Sequence, residues 1–203
     1  MSATAIVSLE DLDDLQAPPV ARPRVLLVAT VLAGAATLMG FAGLLGVYLR
    51  ERAAAIAAGE GSLPDGITIP LTPTNMSLIG FGLSLVFMHW AVDAIGNDDR
   101  RHAWMAFGAV LVTFAFHLVG TAFLYTQAGF AIDTPTGVLF YALTGGHLAV
   151  AAAGVLFLAL MAFRTLGGQY SAKDREGVVA ATVFWWVVAI TYAIVWYAIY
   201  VTK

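Results

Sequence analysis

The chain has 203 residues, of which 60% are hydrophobic and 11% are charged, and its formal net charge is −3. This composition lies outside the usual range of soluble domains, and the length accommodates about five membrane spans of roughly 20 to 25 residues in a single membrane domain. Because the sequence contains no Cys, disulfides, iron-sulfur clusters, thiolate metal sites and covalently attached c-type haem are excluded. The small net charge does not indicate a nucleic-acid partner.

An acidic tail precedes the first apolar run. Residues 1–23 contain Ala and Pro, are not continuously apolar, and carry four acidic side chains: Glu10, Asp11, Asp13 and Asp14. A secretory signal peptide would instead begin with basic residues followed by a short apolar stretch. We therefore expect the tail to be retained, exposed and partly disordered.

Five apolar runs follow the tail, and each is long enough to predict a transmembrane helix. The runs are 25–49, 76–95, 103–127, 137–163 and 178–201. Several Gly and Pro residues in 53–75 predict an external loop between the first two runs, whereas a very short turn joins the second to the third. The sequence thus predicts an all-α, polytopic bundle of five transmembrane helices over residues 24–203.

The distribution of Lys and Arg predicts the orientation, because cytoplasmic loops usually retain the positive charge. The side that holds the N-terminus carries seven such residues: Arg22, Arg24, Arg100, Arg101, Arg164, Lys173 and Arg175. The opposite side carries three: Arg50, Arg52 and Lys203. We therefore expect a multi-pass protein of a bacterial cell membrane with a cytoplasmic N-terminus and an external C-terminus.

Polar residues at membrane depth are costly, so they are candidate structural, lipid-related or proton-related positions. These positions are Thr37, His89, Asp93, His117 and His147. His89 and Asp93 are four residues apart and share a helix face, which favours a local hydrogen-bonded pair near the cytoplasmic end of the second helix. Proton entry or a contact with a partner is the alternative interpretation of this pair.

His117 and His147 each lie about ten residues from the outer end of their helices, so the helical rise places them at comparable depth, where they could face each other. A metal would need at least one further ligand, and no carboxylate occurs at that depth. Satisfaction by each other, by hydroxyl groups or by water is therefore favoured over a metal or haem site. The aromatic side chains of the fifth run are typical of interfacial belts rather than of a cofactor site. We predict no catalytic, cofactor-binding or metal-binding residue in this chain.

Three segments of the chain carry a resemblance to a known family. Residues 37–44, followed by Tyr48, are similar to the pattern Glu-x-Met-Phe-Phe-x-Gly-Leu in the first shared helix of cytochrome c oxidase subunit III. Residues 137–147 are similar to its Gly-x-x-Phe-Tyr-x-x-Thr-Gly-Phe-His segment, and Phe184-Trp185-Trp186 falls where the family has Tyr-Trp-His. Arg100-Arg101 and residues 120–125 agree with it in order and spacing. The resemblance covers roughly residue 25 to the C-terminus and matches the short, five-helix form of subunit III.

Most of the polar residues that mark this family are replaced. Its Glu in the first shared helix is Thr37, its third-helix Glu is Leu124 and its second helix-four His is Val150, and its last-helix His and Asp are Trp186 and Ala189. Of these marks only His147 remains. Because the family carboxylate is associated with proton uptake, the replacements argue against a proton-antenna role, and structural support and lipid contact remain.

The resemblance implies a non-catalytic subunit of a haem-copper terminal oxidase in aerobic respiratory electron transport. Its expected partners are the haem-copper catalytic subunit I, the copper-bearing subunit II and membrane phospholipids, with a larger respiratory supercomplex as a further expectation. The haem and copper are expected on the partner subunits, and no cofactor on this chain. Three alternatives stay open: an accessory subunit of a nitric oxide reductase-type complex, a small transporter or channel, and a membrane enzyme with a metal on His117 and His147.

Overall fold

The computed structural model describes residues 24–59, 63 and 66–202. Within this part the chain forms five long helices, α1 (Val25–Ala57), α2 (Leu71–Gly96), α3 (Arg100–Gln127), α4 (Pro135–Leu166) and α5 (Glu176–Trp196), and α5 continues into a π-helical turn (Tyr197–Val201). The predicted all-α bundle of five helices is confirmed. The acidic tail, residues 1–23, lies outside the described residues.

The helices on both sides of the first loop are longer than the apolar runs. α1 continues to Ala57 because residues 53–57 are Ala-rich and Ala has the highest helix propensity. α2 begins at Leu71, so that Pro73 lies in its first turn, where the missing N–H has no helical partner to lose. The sequence pattern predicts a loop for both segments, because it treats Gly and Pro as helix breakers regardless of their position within a helical turn.

All five helices are long and apolar enough to cross a membrane. Their outward faces carry large apolar side chains, among them Val31, Met39, Phe116 and Leu156, each at least half exposed. A lipid environment accommodates such a surface, whereas water would not. The chain is therefore a multi-pass membrane protein.

Helix α5 lies at the centre of the bundle and packs against α1, α2 and α4, while α2 and α3 form an extensive antiparallel pair. At the middle of α5, Trp185 is buried and its indole Nε1 donates a hydrogen bond to Ser84 Oγ of α2 at 2.7 Å. Its ring packs against Gly154 of α4, where an added Cβ would lie 3.2 Å from two ring carbons. The small residue thus permits the close approach of α4 and α5.

Polar contacts join the helix ends. The first turn of α1 has no side-chain cap of its own, and the carboxylate of Glu176, in the first turn of α5, accepts a hydrogen bond from Leu27 N at 3.0 Å. At the other end of the same helix pair, Arg52 donates a hydrogen bond to Thr202 Oγ1 at 2.6 Å. These two contacts fix α1 against α5 at both ends.

The turn between α2 and α3 is held by two aspartates. Asp98 has a φ of 55°, a conformation that Asp tolerates better than most residues, and its carboxylate accepts a hydrogen bond from Ala172 N in the α4–α5 connection. Asp99 caps α3 by accepting a hydrogen bond from His102 N at 3.0 Å. The hydrogen bonds from the backbone and the side chain of His102 lower the pKa of Asp99.

Candidate functional site

The most buried polar cluster of the described residues surrounds His117 of α3 and His147 of α4. Their ring centroids are 5.4 Å apart at an interplanar angle of 85°, an edge-to-face contact, and the two residues are 4% and 1% exposed. Phe81 of α2 and Tyr192 of α5 complete the cage, with ring centroids 4.9 to 5.4 Å from the two imidazoles. The expectation that the two histidines face each other is confirmed.

Each histidine has a hydrogen bond to another helix. His147 Nε2 lies 3.1 Å from the backbone oxygen of Val188 on α5, and since a carbonyl only accepts, this nitrogen carries the hydrogen. His117 Nδ1 lies 3.1 Å from Ser77 Oγ on α2. His117 Nε2 is buried and has no hydrogen-bond partner among the described residues.

Hydroxyl groups extend the cluster towards the end of the bundle where α2 begins and α3 and α5 end. The Tyr192 hydroxyl donates to the backbone oxygen of Thr74 at 2.9 Å, and the Tyr125 and Thr144 hydroxyls are 2.9 Å apart. A cavity of about 10 Å³ lies between these groups. Its lining side chains with polar atoms are Thr74, Ser77, His117, Thr121, Thr144, His147, Tyr192 and Tyr200. None of them is a carboxylate, so the cavity offers only neutral hydroxyl groups and imidazoles as hydrogen-bond partners.

The described residues contain no group of three or more His, Cys, Asp or Glu side chains placed to hold a metal ion. The two imidazoles of the cluster therefore lack the third protein ligand that a stable site would need. The arrangement can orient a small neutral molecule through hydrogen bonds. Its contacts also join four helices, α2 to α5, at the same level of the bundle.

His89 and Asp93 are not paired with each other in the described structure. His89 is exposed and its Nε2 accepts a hydrogen bond from Trp186 Nε1 of α5 at 3.0 Å. Asp93 is exposed near the end of α2, where its backbone oxygen accepts from Asn97. The sequence reasoning considered only contacts within one helix, whereas the packing of α5 against α2 supplies the indole N–H of Trp186 as a donor to His89.

Thr37 also lies apart from the histidine cluster. It is on α1, is partly exposed, and its hydroxyl donates to the backbone oxygen of Ala33 at 2.9 Å. The structure thus brings together only two of the five candidate polar positions, His117 and His147.

Sequence reasoning missed the hydroxyl groups of the cluster, which are Thr74, Ser77, Thr121, Thr144, Tyr192 and Tyr200. Two of them carried a usable signal, because Thr121 lies four residues after His117 and Thr144 three residues before His147, on the same helix faces. The others come from α2, α5 and the π-helical turn, and only the packing of the helices brings them to this point.

The structure therefore defines a polytopic helical membrane protein with a buried polar cluster of imidazoles and hydroxyl groups. Residues 56–203 match the family described as cytochrome c oxidase subunit III. This match covers more than half of the chain, and the chain belongs to that family. It includes the helix-four segment 137–147, whereas the α1 segment 37–44 lies outside the matched range.

Individual relatives agree with this assignment. The chain is 26% identical to cytochrome c oxidase subunit 3 of Corynebacterium diphtheriae over 189 residues, which are 89% of this chain and 88% of that protein. It is 28% identical to the subunit 3 of Strongylocentrotus purpuratus over 73% of this chain and 58% of that protein. It is 32% identical to the subunit 3 of Triticum aestivum over 67% of this chain and 50% of that protein. The chain thus spans less than two thirds of the length of the last two relatives.

Proposed function

We propose that this chain is a non-catalytic subunit of a haem-copper terminal oxidase, in which it supports the catalytic subunit and contacts membrane lipids. The observation that carries the proposal is the family match over residues 56–203, which includes four of the five membrane helices in full. The expected partners are a haem-copper catalytic subunit I and a copper-bearing subunit II, which would hold the haem and the copper. The chain's own role is to pack against them.

A role in support rather than in proton uptake fits the polar residues of the chain. The position of the family carboxylate on α1 is occupied by Thr37, whose hydroxyl is already bonded to its own helix. Within the described residues, the only buried imidazoles are those of His117 and His147, and hydroxyl and aromatic groups surround them. Such a site contains no carboxylate that could serve as a proton-uptake group.

Lipid contact is supported by an open apolar groove between α2 and α3. It has a volume of about 850 Å³ and is lined mainly by exposed apolar side chains, including Met76, Leu83, Phe116 and Phe123. Its shape and lack of charge suit an acyl chain, and no lining side chain would bind a polar ligand strongly.

The test is purification of the tagged chain from its native membrane in mild detergent, followed by mass spectrometry and a visible absorption spectrum. We expect a haem-copper catalytic subunit and a copper-bearing subunit to accompany it, with haem absorption. A different tagged membrane protein from the same cells serves as the control. Recovery of the chain alone and colourless would overturn the proposal and favour the transporter interpretation, whereas recovery with a nitric oxide reductase would replace the oxidase as host.

We further propose a cytoplasmic N-terminus, which the excess of Lys and Arg on that side supports. Because the chain has no Cys, single introduced cysteines are unique reporters of the side. An Ala58→Cys variant, at the end of α1, should react with a membrane-impermeant maleimide in intact cells. An Ala172→Cys variant, in the α4–α5 connection, should react only after permeabilisation. The reverse pattern would contradict the orientation.

A further inference from the structure

Several polar groups that form no hydrogen bond with any described residue line the same small cavity. His117 Nε2 is buried and unpaired in the described structure, on a residue that is 4% exposed. The hydroxyl groups of Thr121 and Tyr200, whose residues are 8% and 2% exposed, form no hydrogen bond with any described residue either. All three residues line the cavity of about 10 Å³ next to the histidine pair.

A buried unpaired group such as His117 Nε2 is unfavourable in a low-dielectric interior, where it loses its hydrogen bonds to water without replacement. The most common solution in proteins is a buried water molecule, which makes about three hydrogen bonds to groups of this kind.

The size of the cavity limits which ligand can bind in it. Its volume is close to the lower limit of roughly 10 Å³ at which a cavity holds one water molecule. A lipid chain, a quinone or a haem is larger by more than an order of magnitude and is excluded from it. The polar lining also distinguishes it from a dry apolar cavity, which stays empty in water.

We propose that this cavity binds a single water molecule that bridges His117 Nε2, Thr121 Oγ1 and the Tyr200 hydroxyl. Two of these groups belong to α3, and the third belongs to the π-helical turn after α5. The water therefore links α3 to the C-terminal turn, two elements that no direct hydrogen bond joins within the described residues. This site does not depend on which complex the chain joins.

The direct test is an experimental structure of the purified protein, with any subunits that accompany it, at a resolution that shows ordered water. We expect one isolated peak within hydrogen-bonding distance of the three named atoms. An empty cavity in a map that shows other buried waters would overturn the proposal. A larger density would also overturn it, because it would identify a different ligand.

A second test uses variants that remove one hydroxyl each and keep the shape, Thr121→Val and Tyr200→Phe. Each should lower the apparent melting temperature in detergent by about 2 to 4 °C, the shift that loss of one buried hydrogen bond produces in a protein of this size. The matched control is Thr113→Val on the same helix, whose hydroxyl is bonded to the backbone oxygen of Val110 and faces the apolar groove. It should shift the melting temperature by less than either.

The double variant separates a shared water from two independent effects. If one water binds both hydroxyls, the first substitution already weakens or displaces it, so the double variant should lose clearly less than the sum of the single losses. Losses that add fully would overturn the proposal, because the two hydroxyls are not bonded to each other in the described structure.

Discussion

Helices α1 and α5 are equally apolar, yet they occupy opposite environments. Their most apolar 18-residue windows have the same mean hydropathy, but 17% of that window is buried within the protein in α1 and 61% in α5. α5 packs against three other helices, whereas α1 packs against α4 and α5 and leaves one side free within the described chain. Hydropathy therefore identifies a membrane helix without identifying its neighbours, because lipid tails and the protein core are both apolar.

The glycines of the two regions show the same difference. A Cβ added at Gly40, Gly43 or Gly46 of α1 would meet nothing within 4 Å, whereas one added at Gly154 would contact Trp185 of α5. These three glycines of α1 thus lie on an open surface, whereas Gly154 and also Gly34 of α1, where an added Cβ would lie 2.7 Å from Val187 Cγ2, are packed closely against α5. The following substitutions test this contrast, in order of decreasing expected effect.

The largest effect is expected at the centre of α5. Trp185→Ala removes a buried indole and its hydrogen bond to Ser84, and should reduce the free energy of unfolding by roughly 3 to 5 kcal/mol through lost packing and a residual cavity. The control is Met39→Ala on α1, a residue that is 75% exposed. It should change stability by no more than about 0.5 kcal/mol. Denaturant titration in mixed micelles measures both, and equal losses would contradict the central position of α5.

The next effect distinguishes packed from open glycine. Gly154→Ala places a methyl group against the Trp185 ring and should destabilise the protein by about 1 to 3 kcal/mol through overpacking. Gly40→Ala should be neutral or stabilising by up to about 1 kcal/mol, since Ala is the better helix former. The same titration applies. A destabilising Gly40→Ala in the isolated chain would show that α1 is packed where the structure leaves it open.

A smaller effect is expected where α5 caps α1. Glu176→Gln removes the negative charge next to the first turns of both helices and weakens the hydrogen bond from Leu27 N, for a loss of about 1 kcal/mol. Glu51→Gln is the matched control, because that carboxylate pairs only with the exposed neighbouring Arg50. Thermal unfolding of both variants at neutral pH measures the difference. A loss at Glu51 as large as that at Glu176 would argue against the capping contact.

The smallest effect is expected at the N-terminus of α3. There Asp99, the residue just before the helix, provides the cap, whereas α1 is capped by Glu176 of another helix. Hydrogen bonds from His102 lower the pKa of Asp99 below its ordinary value of 3.8, so its stabilising contribution is present above that value and is lost as the pH falls through the folded-state pKa. Asp99→Asn keeps a capping oxygen but no charge. The melting temperatures of the two proteins should therefore differ at neutral pH and converge in acid, and a constant difference would contradict this assignment.

Sequence reasoning recovered the features that depend on one helix at a time. The lengths of the apolar runs gave the number of helices, and the equal depths of His117 and His147 predicted their contact, which the 5.4 Å ring separation confirms. The resemblance of residues 137–147 to subunit III lies within the range that the family match covers. Each of these features follows from spacing along the chain and from the fixed rise of an α-helix.

Features that depend on the rotation of one helix against another were not predictable in the same way. His89 binds Trp186 of α5 rather than Asp93 of its own helix, and the cavity next to His117 combines side chains from five different elements. Pro73 is likewise predicted as a loop residue from the sequence. Its position in the first turn of α2 is known only once the structure shows that this helix begins at Leu71.

The sequence by itself therefore determined that this protein crosses the membrane five times and to which family it belongs. It did so because membrane thickness imposes a minimum length on each apolar run and because residues 137–147 resemble the family's helix-four segment in residue type and spacing. Only the tertiary structure decided that α5 is central, that α1 is peripheral, and that two histidines share a cavity with six hydroxyl groups. A helix with apolar residues on all sides carries no sequence signal for which side faces lipid, so close packing of small and aromatic side chains made that choice.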